Sequence, residues 1–199
     1  MAETPAIAFD PATALVVVDV QNDFADPGGA LYVAGGEETI PLVNRLAAEA
    51  EAAGATAVYT QDWHPERTPH FDTDGGPWPV HCVRGTWGAE LHPELDVRGP
   101  VVRKGTGGED GYSGFHARDP QSGEEIDTGL HALLAERGIR RVVVVGLARD
   151  VCVKETAIDA RRLGYETEVL LEGTRPVEAE PGADERARRE MGEAGVTLR

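Results

Sequence analysis

Apolar residues in this chain fall alternately into short unbroken runs and into longer stretches with three-to-four spacing. Ala14–Val18 is a β-branched run without polar alternation, the pattern of a strand covered on both faces. It ends at Asp19, and the polar stretch DVQNDFADPGG follows. Over 37–53, Ile40, Val43, Leu46, Ala47 and Ala50 recur at helical spacing, and Gly54 supplies a stop. The same reasoning predicts strands at 55–60, 100–103, 141–145, 166–171 and 195–198. It predicts further helices at 128–137, from the residues after Gly146 to Gly164, and at 183–191. This alternation predicts a three-layer α/β/α fold with a central, mostly parallel six-stranded sheet, its faces covered by right-handed crossovers. Residues 1–199 then read as one domain.

One region breaks the rhythm. Residues 61–99 are rich in proline and glycine, hold all three tryptophans, and read as loops with short helical pieces. So long a connection is unusual in a compact domain unless it builds a site. Composition narrows the partners. Thirty-five acidic against 19 basic residues give a formal net charge of -16, a field that repels polyanions, and no basic patch offsets it, so no nucleic-acid partner is expected. Two cysteines 70 positions apart make no disulfide framework and suit a reducing compartment. No apolar run approaches the ~18 residues of a membrane span, and the start, MAETPAIAFDP, lacks the basic and apolar regions of a secretion signal. The expectation is a cytoplasmic protein with no membrane partner.

In a parallel sheet, ligands bind beyond the carboxyl ends of the strands. Asp19, Asp62 and Lys104 follow three of the apolar runs, and Cys152 begins the helix after a fourth. A thiol at a helix N-terminus feels partial positive charge, which stabilises the thiolate, and the nearby N–H groups can hold an oxyanion. Asp19 is placed to act as base toward Cys152, with Lys104 holding the carboxylate charge. Each residue has a plainer reading: a buried structural cysteine, a turn cap, a strand-end ion pair. A second cluster is Asp62, His64, His70 and His81, the histidines falling within 18 residues of one loop. One carboxylate and two or three imidazoles suit Zn²⁺, Fe²⁺ or Mn²⁺. The plainer alternative is that the histidines are scattered. Such a metal would place a substrate lone pair or activate water. Phe24, Trp78 and Tyr112 offer stacking surfaces for a flat substrate, or ordinary packing under loops.

Five segments, ALVVVDVQNDFADPGGAL, YTQDWHPERTPHF, WPVHCVRGTWGAELHPEL, VRKGTGGEDGYSGF and VVVVGLARDVCVKETAIDA, occur in one order over most of the chain. Together they resemble the nicotinamidases within the isochorismatase-like cysteine hydrolases. The resemblance implies hydrolysis of nicotinamide, and of pyrazinamide, through a thioester, in the salvage of pyridine nucleotides. It implies a catalytic trio Asp19, Lys104 and Cys152, and an oxyanion hole from the Ala148 and Cys152 N–H groups beside a cis Leu147–Ala148 peptide. It also implies one divalent metal, zinc or else iron or manganese, on Asp62, His64 and His81. His70 matches a histidine that ligates the metal in some members only. Phe24 and Trp78 match the walls of the substrate pocket, and Tyr112 belongs to its YSGF segment. A small amide substrate and a homo-oligomer are expected. Arg149 stands where the family carries threonine or another small polar residue, so it either alters substrate preference or pairs with a carboxylate; the loop 105–111 also differs. Sibling amide or carbamoyl hydrolases, acting on N-carbamoyl or ureidoacrylate compounds, are the nearest alternative, and a non-catalytic binding domain is the more distant one.

Overall fold

A computed structural model describes residues 7–199. In chain order the elements are β1 (Thr13–Val18), α1 (Asn22–Ala25), α2 (Ile40–Ala52), β2 (Thr56–Asp62), β3 (Val101–Lys104), β4 (His116–Arg118), β5 (Glu125–Asp127), α3 (Leu130–Glu136), β6 (Arg141–Leu147), α4 (Lys154–Arg162), β7 (Glu166–Arg175), α5 (Ala183–Glu193) and β8 (Thr197–Leu198). Six strands form one sheet in the order β3-β2-β1-β6-β7-β8, and every pair in it is parallel.

The unbroken apolar runs are explained by the two cores. Leu15 and Val17 of β1 face one side with Val43, Leu46, Ala47 and Ala50 of α2. Ala14, Val16 and Val18 face the other, with Leu130 and Leu134 of α3, Ala157 and Ala160 of α4, and Met191 of α5. Alternate side chains of one strand thus bury in different layers, so neither parity can be polar. The expected three-layer α/β/α architecture is the one observed.

Boundaries differ where chemistry begins. The second strand runs on to Asp62 and the third to Lys104, so both charged residues are the last of their strands, paired across the sheet. β6 reaches Leu147, and a wide, π-type turn at Arg149–Val153 separates it from α4 where a continuous helix is expected. β4 and β5 form an antiparallel hairpin in a stretch to which the sequence pattern assigns no element. Their three-residue strands, HAR and EID, are too short and polar for periodicity to register.

Strand order places the site. Reading outward, β1, β2 and β3 step one way and β6, β7 and β8 the other, so the switch point lies between β1 and β6. Close approach there requires glycine: Gly146 has φ 107°, and a Cβ on it would lie 2.1 Å from the Val18 carbonyl oxygen.

Candidate active site

Asp19 follows β1 directly, at φ 47°, a left-handed conformation that aspartate tolerates better than most residues. Its carboxylate is wholly buried. Oδ1 accepts a hydrogen bond from the Thr60 hydroxyl at 2.6 Å. Oδ2 lies 2.7 Å from Lys104 Nζ as a buried ion pair. Burial raises the Asp19 carboxyl above its ordinary range against the opposing pull of Lys104.

Lys104 is the hub. Its ammonium also lies 3.4 Å from Asp62 Oδ1 and 3.8 Å from Cys152 Sγ, and it donates to the Gly111 carbonyl. Burial alone would lower its pKa, but the two carboxylates outweigh that and hold it well above the usual lysine range, firmly protonated.

Cys152 lies within the turn 149–153, two residues before α4, and is 8% exposed. A stabilised thiolate is expected from the helix N-terminus, and here the structure differs. Burial pushes the thiol well above its ordinary pKa; Lys104 opposes this, and the Asp19 and Asp62 carboxylates push it further up. Desolvation with two nearby carboxylates outweighs one cation, so the resting group is a thiol. The Leu147–Ala148 peptide is cis, and the Ala148 carbonyl accepts from the Val151 and Val153 N–H groups at 3.1 Å each.

All four expected metal-site residues are brought together. Ligand-capable nitrogens of His64, His70 and His81 lie within 4.8 Å of one another, all buried. Asp62 Oδ2 is 3.0 Å from His64 Nε2 and 3.5 Å from His81 Nε2. His81 Nδ1 lies 2.7 Å from the Pro79 carbonyl oxygen, and its Nε2 faces Asp62. His64 Nδ1 is a buried nitrogen without a partner among the described residues. Burial, then the neighbouring imidazoles, lower His70 to about 3, so its ring is neutral. For Asp62, burial raises the carboxyl, but Lys104 and His64 outweigh it and hold it well below the usual range. Three imidazoles and a carboxylate converging in a buried pocket fit a divalent ion.

Gly105 packs against this cluster. With φ 71°, it would carry a Cβ 2.5 Å from His64 Cε1. Gly105→Ala is therefore expected to displace His64, lowering bound metal in elemental analysis and destabilising the fold by about 1–3 kcal/mol in denaturant melts.

Between these groups lies a cleft that contains Phe24, Trp78, Tyr112, Ala148, Cys152, His70 and His81 in its lining. Trp78 Nε1 donates to the Tyr112 hydroxyl at 2.9 Å, and Phe24 packs 5.4 Å from the His81 ring. The sequence reading missed Leu31, Val33, Val151 and Val177 in the wall, since lone aliphatic residues in loops carry no pattern. Arg149 is not among the lining residues. Its guanidinium pairs with Asp184 at 2.6 and 2.8 Å and donates to the Leu171 and Thr174 carbonyls, which decides the open question in favour of pairing.

Residues 13–192 match the model of the isochorismatase domain. This chain belongs to the isochorismatase family. Within the family, the nicotinamidase of Escherichia coli K12 is 38% identical over 94% of this chain and 94% of that protein. Among solved structures, PnC1 from L. infantum in complex with nicotinate superposes with a TM-score of 0.88 at 38% identity, covering 97% of this chain and 95% of that one. Pyrazinamidase of Pyrococcus horikoshii in complex with zinc gives 0.82 at 38% identity, covering 95% and 99%.

Proposed function

We propose that this chain is a metal-containing cysteine amidohydrolase that converts nicotinamide to nicotinate and ammonia, and acts on pyrazinamide in the same way. One observation carries the reading: a buried Lys104 ammonium 2.7 Å from Asp19 and 3.8 Å from Cys152, beside an aromatic-walled cleft flanked by the histidine cluster. The activities named for the relatives support it.

The Asp19 carboxylate takes the proton from Cys152 Sγ as sulfur attacks the amide carbonyl carbon. Lys104 remains protonated and offsets the negative charge that passes from Asp19 to the substrate. The N–H groups of Ala148 and Cys152 receive the developing oxyanion. Collapse breaks the C–N bond, Asp19 returns the proton to the departing nitrogen, and ammonia leaves a nicotinoyl thioester on Cys152. Asp19 then takes a proton from water as its oxygen attacks the thioester; the C–S bond breaks and the proton returns to sulfur. Asp62, His64, His70 and His81 would hold a divalent ion, zinc or else iron or manganese, which would supply a Lewis acid for a ring lone pair of the substrate. Phe24 and Trp78 flank the flat ring.

Ammonia release is the direct test. The metal-loaded protein is expected to release ammonia from nicotinamide and pyrazinamide, and far less from N-carbamoyl amino acids or ureidoacrylate. Preference for the latter pair would assign a sibling chemistry, and silence toward all would refute the hydrolase reading. Stripping the metal with a chelator is expected to raise KM for nicotinamide at least about tenfold, with one equivalent restoring it, because ring placement is lost. Elemental analysis against activity checks this.

A further inference from the structure

Asp150 stands two residues before Cys152 in the wide turn, is buried, and takes no part in the chemistry above. Its carboxylate is spent on another segment: Oδ1 accepts the Val177 N–H at 2.9 Å and Oδ2 accepts the Glu178 N–H at 2.8 Å. Those two amides belong to the stretch between β7 and α5, which has no strand or helix of its own over 176–180. Glu178 adopts φ 49°, uncommon for a residue with a side chain, at the point where the carboxylate grips. Val177 lines the cleft, and so do Ala148, Val151 and Cys152, which flank Asp150 in its own turn. One carboxylate therefore joins the turn that carries the sulfur to a separate wall of the same cleft.

We propose that Asp150 is a positioning residue: by clamping Val177 and Glu178 to the Cys152 turn it fixes the distance between that wall and the sulfur, and so governs binding of a small flat amide. The effect on substrate rests on the amidohydrolase reading; the clamp itself does not. A carboxylate suits the task because its two oxygens meet two successive N–H donors. Arg149 docks the same turn on Asp184 and the β7 carbonyls, so the turn is a rigid base against which Asp150 can hold the loop.

The test uses Asp150→Asn, in which an amide NH₂ must face one of the two N–H donors. Amide hydrogen exchange on the protein without substrate is expected to show slow exchange at 177 and 178 in the parent and markedly faster exchange there in D150N. With nicotinamide, D150N is expected to raise KM about tenfold with kcat changed less than about threefold, since binding and not the reacting groups is disturbed. Val177→Ala should raise KM too while leaving the Glu178 amide slow, and adding it to D150N should cost less than the sum of the two, because both act on one wall. Fast exchange at 177 and 178 in the parent overturns the clamp even if D150N fails to fold. So does a D150N protein with parental exchange and parental KM. Slow parental exchange lost in D150N supports the clamp whatever the parent does to nicotinamide, so the two readings fail separately.

Discussion

Replacing Cys152 with alanine is expected to lower ammonia release from nicotinamide by roughly 10⁵-fold or more, since removing the nucleophile of a covalent enzyme costs nearly the whole chemical acceleration. Metal content and fold should stay close to the parent. The sulfur faces Lys104 Nζ at 3.8 Å and the Asp19 carboxylate. Loss of one buried sulfur at the edge of the α3–α5 core costs about 1 kcal/mol. The expected pattern is thus a stable, metal-loaded, inactive protein that still binds nicotinamide. Elemental analysis, thermal unfolding and an ammonia assay on one preparation read all of it. Turnover retained by the alanine variant would remove the thioester from the account.

Lys104→Ala is expected to be costly in both stability and rate. The ammonium is the counter-ion of Asp19 at 2.7 Å and Asp62 at 3.4 Å, with all three side chains essentially excluded from solvent. Removing one member of a buried ion pair strands the others, at about 3–5 kcal/mol. For a chain of this size that corresponds to a fall in Tm on the order of 10 °C. A cation held by Asp62 would relieve that carboxylate but not Asp19, so the deficit is expected in metal-loaded preparations as well. Turnover should fall by at least about 10³-fold, because nothing then offsets the charge on Asp19 and the oxyanion. A variant that melts with the parent would contradict the arrangement of charges described here, whatever its activity.

Much of this was legible in the residues, for reasons that can be named. Parallel strands buried on both faces leave uninterrupted apolar runs, and the charged residues just past them mark the carboxyl ends of the strands; Asp19, Asp62 and Lys104 are all found in that way. His64, His70 and His81 stood out because they crowd into one proline- and glycine-rich loop. The hairpin β4–β5 was not legible, since strands of three residues are too short to show a periodicity. Nor was the protonation of Cys152: position at a helix start suggests a thiolate, whereas burial beside two carboxylates decides otherwise, and burial is a property of the folded surroundings. The same holds for Arg149, whose partner Asp184 lies 35 residues away, and for Asp150, whose two amide partners are brought to it only by the path of the chain after β7.

The most direct measurement of the covalent route through Cys152 is turnover of nicotinamide in the presence of hydroxylamine, with ammonia and both acyl products quantified. A thioester on Cys152 is expected to be intercepted, giving nicotinohydroxamate in proportion to hydroxylamine while the rate of ammonia release from the amide is not diminished. Nicotinate as the sole acyl product, at an undiminished rate across the whole hydroxylamine range, would mean that water attacks the amide directly and that Cys152 is not the nucleophile.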